Sequence, residues 1–281
     1  TKKIVDSTDC GVIAVSSFPE RIPSMIERER INNTERIIIL SSEEMFKSDL
    51  SSENIIGVVH FAFSRAIFPN RDIANSLDYS LRAFKKMVDS EISNCIYISS
   101  QSVYGDTPEI RYETSAPAPN SIYAMAKYAG EKLFESCYYG HSDLAHTILR
   151  LDNVIQSQNL VNALCRKAKQ GENLLLKGGK QVFSYIDISD VPDAIYSMLT
   201  TNNEWAKLYN VGPNEMRVSL IEIAETVRRV AGKYGITIDI ELKPDDTELW
   251  AGMNTTRFLD DTGWRPKMTL DEMIEKIYLS I

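Results

Sequence analysis

The sequence has few of the features that mark membrane, secreted or nucleic-acid-binding proteins. None of its apolar runs approaches the roughly 20 residues that a helix needs to cross a bilayer; the longer ones, such as residues 37–40, have the length of a strand. No signal peptide is recognisable, so nothing directs the chain out of the cytoplasm. A net charge of -8 argues against binding to a phosphate backbone, which depends on clustered Lys and Arg. We therefore expect a cytoplasmic protein with neither a membrane nor a nucleic-acid partner.

Cysteine and histidine are also scarce. The four cysteines are far apart in sequence and form no CxxC pair, which favours buried free thiols in a reducing compartment over disulfides. The three histidines have no HExxH spacing, so the sequence gives little support to a metal site, and we expect none.

Short apolar strands alternate with longer amphipathic helices, a pattern typical of a parallel sheet flanked by helices. In the first half, strands are predicted at 11–15, 37–40, 55–61, 95–98 and 147–151, and helices at 19–30, 72–88 and 121–138. Beyond this point the predicted elements are strands at 174–176, 182–186 and 236–242 and helices at 189–199, 219–234 and 270–277. The sequence thus predicts an α/β fold with a first domain of residues 1–151. A smaller lobe, 152–281, is interleaved with it.

Tyr123 and Lys127 give the strongest chemical signal. Their i,i+4 spacing on a predicted helix places both side chains on one face. An ammonium near a phenol favours the phenolate and lowers its pKa, which would suit Tyr123 to acid or base catalysis. The same spacing also occurs by chance on amphipathic helices, so it needs support from its surroundings.

That support comes from the preceding strand, which ends in Ser99 and Ser100. Hydroxyl groups at the carboxyl end of a parallel strand lie where such sheets bind ligands. Ser100 can then hydrogen-bond a substrate oxygen and share developing charge with Tyr123. A turn at the end of a strand would explain a single serine. It would not explain why a strand, a serine cluster, a loop and a helix with Tyr123 and Lys127 follow one another in this order.

With these motifs the chain resembles the extended short-chain dehydrogenase/reductase family, in its nucleotide-sugar epimerase, dehydratase and reductase branch. The resemblance covers nearly the whole chain, and its strength lies in the order and spacing of the motifs. Besides Ser100, Tyr123 and Lys127 it rests on residues 58–63 (VVHFAF), 149–154 (LRLDNV), 185–191 (YIDISDV), 208–212 (LYNVG) and 262–266 (TGWRP).

The resemblance implies roles for individual residues. Ser100, Tyr123 and Lys127 would form the catalytic triad, with Lys127 also holding the nicotinamide ribose. The remaining cofactor contacts would come from Ser16, Ser17, Arg21, Phe61, Ala62, Phe63, Asn75, Ser99, Tyr123 and Val154. The substrate would meet Ser102, Asn153 and Lys243. Tyr123 would exchange a proton with a sugar oxygen while hydride passes between the sugar and the cofactor.

The chain departs from the family at its start, where the glycine-rich GxxGxxG turn after a first strand is absent. Residues 1–10 resemble the end of the helix that follows this turn. In a doubly wound, Rossmann-like sheet of order 3-2-1-4-5-6 the first strand is central, and its loss would leave two edges with unpaired backbone groups. We therefore expect this strand and turn to be missing from the sequence record. The alternative is a degenerate relative that no longer binds a dinucleotide.

Other departures bear on the reaction. Family dehydratases carry acidic residues where this chain has Gln101 and Ser102, so a dehydratase is disfavoured. Phe183 stands where an arginine often grips the diphosphate. Lys243 aligns with a second phosphate-binding arginine, and an exposed surface charge explains it equally well.

Cofactor preference depends on the end of the second strand of the family fold. An acidic residue there suits NAD, whereas polar or cationic residues suit the 2′-phosphate of NADP. Here the strand runs into Ser16 and Ser17, with Arg21 nearby. We expect NADP or NAD, with NADP favoured, although Arg21 also fits a charge on a helix face.

The leading hypothesis is an NAD(P)-dependent nucleotide-sugar reductase or epimerase. The alternative is a non-catalytic relative that keeps the fold as a binding or regulatory module. A homodimer is expected from the resemblance, through helices 72–88 and 121–138. An apolar face for it is available in Phe84, Met87, Leu133, Phe134 and Tyr138, which can equally pack on the chain's own sheet.

Overall fold

The computed structural model describes residues 1–65, 69–157 and 159–281. Its strands are β1 (Val12–Ser16), β2 (Ile37–Ser41), β3 (Val58–His60), β4 (Cys95–Ser100), β5 (His146–Leu151), β6 (Asn153–Val154), β7 (Leu174–Lys177), β8 (Val182–Phe183), β9 (Tyr185–Ile186), β10 (Leu208–Val211), β11 (Val218–Ser219) and β12 (Ile240–Lys243).

The helices include one at the start of the sequence and several that sequence patterns did not predict. They are α1 (Lys2–Ser7), α2 (Ile22–Arg28), α3 (Ser42–Lys47), α4 (Asn70–Asp89), α5 (Ile122–Cys137), α6 (Asn159–Lys169), α7 (Asp190–Thr200), α8 (Leu220–Lys233), α9 (Thr256–Thr262) and α10 (Leu270–Ser280). Helices α3, α6 and α9 are the ones that the sequence analysis missed.

A parallel four-stranded sheet of order β10-β5-β4-β3 carries the fold. Its central strands are almost wholly buried: every residue of β5 and all of β4 except Ser100. Burial on both faces explains their continuous apolar sequence, because helices cover both sides of a parallel sheet. The predicted α/β class is confirmed.

Helices pack on both faces of this sheet, which makes it doubly wound. On one face α4 and α5 bring Phe84 and Phe134 against Tyr97 and Ile148. On the other face, side chains of α7 and α9 pack with Ile96, Leu149 and Trp264. The Rossmann-like architecture predicted from the sequence is therefore present.

The β1–β2 pair is separate from the main sheet in the described residues. β1 pairs with β2 in parallel, from Val12↔Ile37 to Ser16↔Ser41, and within the described ranges no ladder hydrogen bond joins this pair to β3. In the strand order expected from the resemblance, the family's first strand lies between β1 and β3. β3 is also shorter than the predicted strand of 55–61, as expected for a strand with a neighbour on one side only.

Helix α1 links the β1–β2 pair to the main sheet. Arg36, just before β2, donates from Nη1 to the carbonyl oxygen of Thr8 at 2.6 Å. Lys3 reaches the other way, with Nζ 2.9 Å from Asp193 of α7. These contacts fasten the pair through its helix rather than through the sheet.

The C-terminal residues build a second apolar cluster, in which α6, α8 and α10 enclose Leu174 and Leu176 of β7. β7 pairs in parallel with β12. The predicted strand at 182–186 is two short strands instead: β8 pairs with β11, and β9 pairs with β6. Ser184 lies between them, and its hydroxyl donates to Asp152.

Helix starts follow the expected capping chemistry. Ser121 accepts a hydrogen bond from the backbone N–H of Ala124, as the sequence predicted for α5. Ser219 and Glu222 form a capping box at α8. Ser189, the predicted start of α7, makes no such bond, because its hydroxyl donates to Asp187.

The apolar face expected for a dimer lies inside the chain. Phe84, Met87, Phe134 and Tyr138 are buried in the core against the sheet, with Leu133 partly buried beside them. Of the two arrangements that the sequence allowed, packing on the chain's own sheet is the one observed. No described helix is long and apolar enough to span a bilayer.

A buried ion pair ties α5 to the sheet. Glu131, 1% exposed, accepts from Arg150 of β5 at both oxygens, with Nε–Oε1 at 2.9 Å and Nη2–Oε2 at 2.6 Å. Its Oε1 also accepts from the hydroxyl of Ser99. Burial opposes the charge of Arg150, but the bonds and attraction from Glu131 outweigh it and raise the pKa of Arg150.

Replacing one partner of this pair leaves an uncompensated buried charge. We expect Glu131→Gln to lower the free energy of unfolding by about 3–5 kcal/mol, and Glu131→Met combined with Arg150→Met to recover much of the loss. Urea unfolding followed by circular dichroism measures both. Glu135→Gln, on the exposed side of α5, is the control. An equal, small effect of Glu131→Gln and Glu135→Gln would contradict the prediction.

Candidate active site

The predicted catalytic serine stands where β4 ends. Ser100 caps a short 3-10 turn, Gln101–Tyr104, and its hydroxyl oxygen accepts from the backbone N–H of Ser102 at 3.2 Å. The hydroxyl of Ser102 donates to the same oxygen at 3.0 Å. These bonds hold Ser100 at the carboxyl edge of the sheet, where open parallel sheets bind ligands.

Tyr123 lies in the first turn of α5 and reaches this serine. Its phenol interacts with the Ser100 hydroxyl, which acts to lower the pKa of Tyr123, and its ring meets Phe63 edge-on at 6.2 Å between centroids. Burial raises the pKa of Tyr123, although Ser100 and the charge of Arg65 act in the opposite direction. The phenol is therefore held in its protonated form at neutral pH.

Lys127 is one turn further along α5 and points towards the sheet. It is 3% exposed; its Nζ donates to the carbonyl oxygen of Ile98 at 2.6 Å and lies 4.3 Å from the centre of the Phe63 ring. Burial lowers the pKa of Lys127 to about 7, partly opposed by Glu131. The expected lowering of the Tyr123 pKa by Lys127 is therefore wrong for this arrangement: desolvation dominates at both groups.

Asp152 is a site residue that the sequence analysis missed. It follows β5 directly, is 4% exposed, and accepts from Gln101 Nε2 and the backbone N–H of Asn153 at one oxygen. Its other oxygen accepts from the hydroxyl of Ser184. One carboxyl group thus fixes the turn after Ser100 and the predicted substrate contact Asn153. Its place at the end of a buried parallel strand was the signal for it.

The loop after β3 brings part of the predicted cofactor surface to this centre. Phe61 and Ala62 are exposed, and Phe63 contacts both Tyr123 and Lys127. Asn75 is exposed on α4, next to Ser76, whose hydroxyl accepts from the backbone N–H of Ser64 in that loop at 3.0 Å.

Ser99 faces away from this surface. Its side chain is 3% exposed and its hydroxyl donates to Glu131 of α5, so a contact of Ser99 with the cofactor, which stays a prediction, would use the backbone. The alternation of side chains along a strand explains this orientation. Successive residues point to opposite faces, so the side chains of Ser99 and Ser100 do not face the same ligand.

The residues predicted to select the cofactor lie at the end of β1. Ser16 accepts from the backbone N–H of Phe18 at 3.0 Å, and the hydroxyls of Ser17 and Ser42 are 3.4 Å apart. Arg21 is exposed, with its guanidinium 4.4 Å from the centre of the Phe18 ring. The described residues show no bond between this group and Tyr123 or Ser100.

The predicted substrate residues divide into two sets. Ser102 and Asn153 lie beside Ser100 and Asp152, and Val154, predicted for the cofactor, follows in β6. Lys243 ends β12 and is exposed, with no contact to either set in the described ranges. Phe183 stacks on Tyr185 at 5.9 Å between centroids.

Comparison with known proteins places the chain in a family. The model of the NAD dependent epimerase/dehydratase family matches residues 10–212, and the chain belongs to that family. It is 24% identical to a UDP-glucose 4-epimerase of Yersinia pestis over 263 residues, covering 82% of this chain and 76% of that protein. Some relatives are much longer: the chain spans 37% of a trifunctional plant enzyme that it matches.

Solved structures share the fold at low identity. UDP-glucuronic acid 4-epimerase from Bacillus cereus, in complex with NAD, aligns with a TM-score of 0.77 at 19% identity, covering 95% of this chain and 89% of that one. RMD from Pseudomonas aeruginosa, complexed with NADPH, aligns with a TM-score of 0.71 at 19% identity, covering 95% and 97%. The structural neighbours thus include both NAD-bound and NADPH-bound enzymes.

The carboxyl group of Asp152 should make stability depend on pH. Burial raises the pKa of Asp152 to about 7, although its hydrogen bonds from Ser184, Asn153 and Gln101 act to lower it. An aspartate in the unfolded chain titrates at about 4. Between these values the folded state keeps a proton that the unfolded state releases. The contribution of Asp152 to the free energy of unfolding therefore falls as pH rises from about 4 to about 7, by up to about 1.4 kcal/mol per unit.

Urea unfolding at several pH values between about 4.5 and 6.5 tests this. The difference in unfolding free energy between wild type and Asp152→Asn should fall with pH. The same difference for Asp246→Asn, an exposed aspartate, should not change. If the difference in unfolding free energy for Asp152→Asn did not change with pH, the raised pKa assigned to Asp152 would be wrong.

Proposed function

We propose that the chain is a nucleotide-sugar reductase or epimerase that uses NADP or NAD. The observation that carries the proposal is the placement of the Tyr123 phenol by the Ser100 hydroxyl at the carboxyl edge of the sheet, with Lys127 one turn further along the same helix. A hydroxyl pair at this edge can meet one oxygen of a bound sugar from two sides. Membership of the family and the enzymatic relatives support the same class of reaction.

The described residues fit the nicotinamide end of such a cofactor. Phe63 gives an apolar surface next to Tyr123, and Lys127 has ammonium hydrogens left after its bond to Ile98. The cofactor would supply or accept the hydride, and Phe63, Lys127 and Val154 would hold its nicotinamide and ribose. For the cofactor diphosphate, the described chain offers no glycine-rich turn between a strand and a helix.

The protonation of Tyr123 favours one direction of reaction. A phenol with a raised pKa is an acid at neutral pH, and it can give its proton to the oxygen of a keto-sugar as that oxygen gains charge. Ser100, beside Tyr123, would share that charge, and Asp152 would keep the turn after Ser100 in place. This favours reduction, and hence a cofactor consumed in solution.

An epimerase needs Tyr123 to act in both directions, so it is retained as the second reaction class. A non-catalytic binding module is not favoured, because it does not require the Ser100, Tyr123 and Lys127 arrangement and the matched relatives are enzymes. Gln101, bonded to Asp152, and Ser102, bonded to Ser100, offer no acidic group for a dehydratase.

The wider organisation is part of the proposal. Residues 1–151 would bind the cofactor, and 152–281, with the apolar cluster around α6, α8 and α10, would mainly bind the sugar nucleotide. A homodimer, if formed, would use a face other than the buried side chains of α4 and α5 named above.

Removing the Tyr123 hydroxyl tests the reaction. Tyr123→Phe should lower turnover by about 10²–10⁴-fold, because proton transfer loses its donor. The assays are NADPH consumption with UDP-4-keto-6-deoxyglucose and interconversion of UDP-glucose and UDP-galactose. Tyr139→Phe, at an exposed tyrosine near the end of the same helix, is the control. Unchanged turnover in Tyr123→Phe would refute the catalytic assignment.

Cofactor choice is tested by fluorescence titration. NADPH should bind more tightly than NADH, and Arg21→Gln should weaken NADPH alone, because only NADPH carries the 2′-phosphate. Arg28→Gln, an exposed arginine of α2, controls for net charge. An equal loss for both cofactors, or no loss, would mean that Arg21 is a surface charge on its helix.

A further inference from the structure

Arg217, just before β11, has hydrogen-bond donors that nothing satisfies. Its Nε and Nη2 atoms are buried, and neither has a partner in the described residues. Buried donors without partners are rare in folded proteins and costly, and more so when they carry charge.

The edge of Arg217 that has no partner, formed by Nε and Nη2, is the edge with which an arginine binds an anion in a bidentate manner. Nε and Nη2 lie side by side and form the two parallel bonds of a bidentate pair. Arg150 uses this edge on Glu131 in the same molecule. Arg217 presents the same fork with no oxygens to receive it.

A second guanidinium lies near it. Arg111 is 2% exposed; its Nη2 donates to the carbonyl oxygen of Trp250 at 2.6 Å and to that of Gly105, while its Nε has no partner. Both arginines pack on one segment, because a Cβ built on Gly252 would lie 3.1 Å from Nε of Arg217. Burial lowers the pKa of Arg111. Attraction from Asp106 and Asp152 acts to raise this pKa, and repulsion from Arg217 acts to lower it further.

The acidic groups around this pair are engaged elsewhere. Asp106 accepts from Asn120, Glu109 from Thr107, and Asp152 from Gln101 and Ser184. Across the described ranges neither Arg111 nor Arg217 forms a salt bridge. Asp106 and Asp152 act electrostatically on Arg111, and Glu109 interacts with Arg217, but in the described residues no carboxyl group pairs directly with either guanidinium. The open fork of Arg217 is therefore left for an anion from outside the chain.

We propose that Arg217, assisted by Arg111, binds the diphosphate of the sugar nucleotide. This rests on the proposed function for the identity of the anion, since a diphosphate carries the charge and paired oxygens that two guanidinium groups match. β11 pairs antiparallel with β8 at Val218↔Phe183, which places Arg217 opposite Ser184. The hydroxyl of Ser184 donates to Asp152, which in turn accepts from the backbone N–H of Asn153. The subsite therefore adjoins the predicted sugar site.

This assignment supplies the cation that the sequence lacked at Phe183. It comes from the neighbouring strand rather than from Lys243. Residues 250–252, which pack against Arg217, belong to no helix or strand. A cavity of about 390 Å³ lined by Tyr104, Thr107, Arg111 and Ser115 opens beside Arg111.

Isothermal titration of the full chain with UDP, GDP, uridine and inorganic pyrophosphate tests the proposal. At least one diphosphate should bind, and UDP should bind at least about 10-fold more tightly than uridine if the base is uracil. Arg217→Gln should weaken diphosphate binding about 10- to 100-fold, and Arg217→Lys, which keeps the charge but not the fork, should fall between. Arg228→Gln, an exposed arginine of α8, should bind as wild type does.

Thermal unfolding separates binding from folding. Arg217→Gln should melt at or above the wild-type temperature without ligand, because it removes an unpaired buried charge. Pyrophosphate should raise the melting temperature of wild type and not of this variant. A variant that melts well below wild type, or binds diphosphates within twofold of Arg228→Gln, would overturn the proposal. So would a wild type that binds none of the diphosphates.

The two proposals fail in different ways. Diphosphate binding that depends on Arg217, without turnover of any sugar nucleotide, would defeat the proposed function and leave the anion site standing. Turnover with unchanged KM in Arg217→Gln would defeat the anion site and leave the reaction standing.

Discussion

The buried carboxylate of Glu131 is the constraint on which the site depends. It receives Arg150 from β5 and Ser99 from β4, so one group fixes α5 against two strands. Tyr123 and Lys127 are carried on the same helix, two turns and one turn before it. Because a charge in the core must keep its partner, α5 cannot slide along the sheet without losing this pair. The distance from the Tyr123 phenol to Ser100 is set in this way from the interior.

Local patterns in the sequence were enough to predict most of the framework. Continuous apolar runs such as 95–98 identify buried parallel strands, and a Ser at position 121 identifies the start of α5. The order of Ser100, Tyr123 and Lys127 along strand, loop and helix predicted that these residues lie close together. In the structure they do. The short helices α3, α6 and α9 were missed, although Ser41 and Glu44 carry a capping-box signal.

What sequence reasoning could not reach depends on tertiary contacts. The i,i+4 spacing gives Lys127 and Tyr123 a common face, but only the packed sheet shows that Lys127 turns to Ile98 and loses its water. Arg217 has unremarkable sequence neighbours, and Asp152 is marked only by its place after a buried strand. The chemistry of both follows from what the fold places around them. Lys243 was aligned by sequence order, whereas the charge near Phe183 comes from a strand that pairs with it in space.

The separation of the β1–β2 pair has a consequence for local opening of the described chain. In the described residues no ladder joins β1 to β3, and Val15 and Ile38 of this pair are 36% and 54% exposed, whereas β4 and β5 are buried. Segments with few buried apolar contacts open at a lower free-energy cost than the core. Backbone amides of β1 and β2 are therefore expected to exchange with solvent sooner than those of β4 and β5.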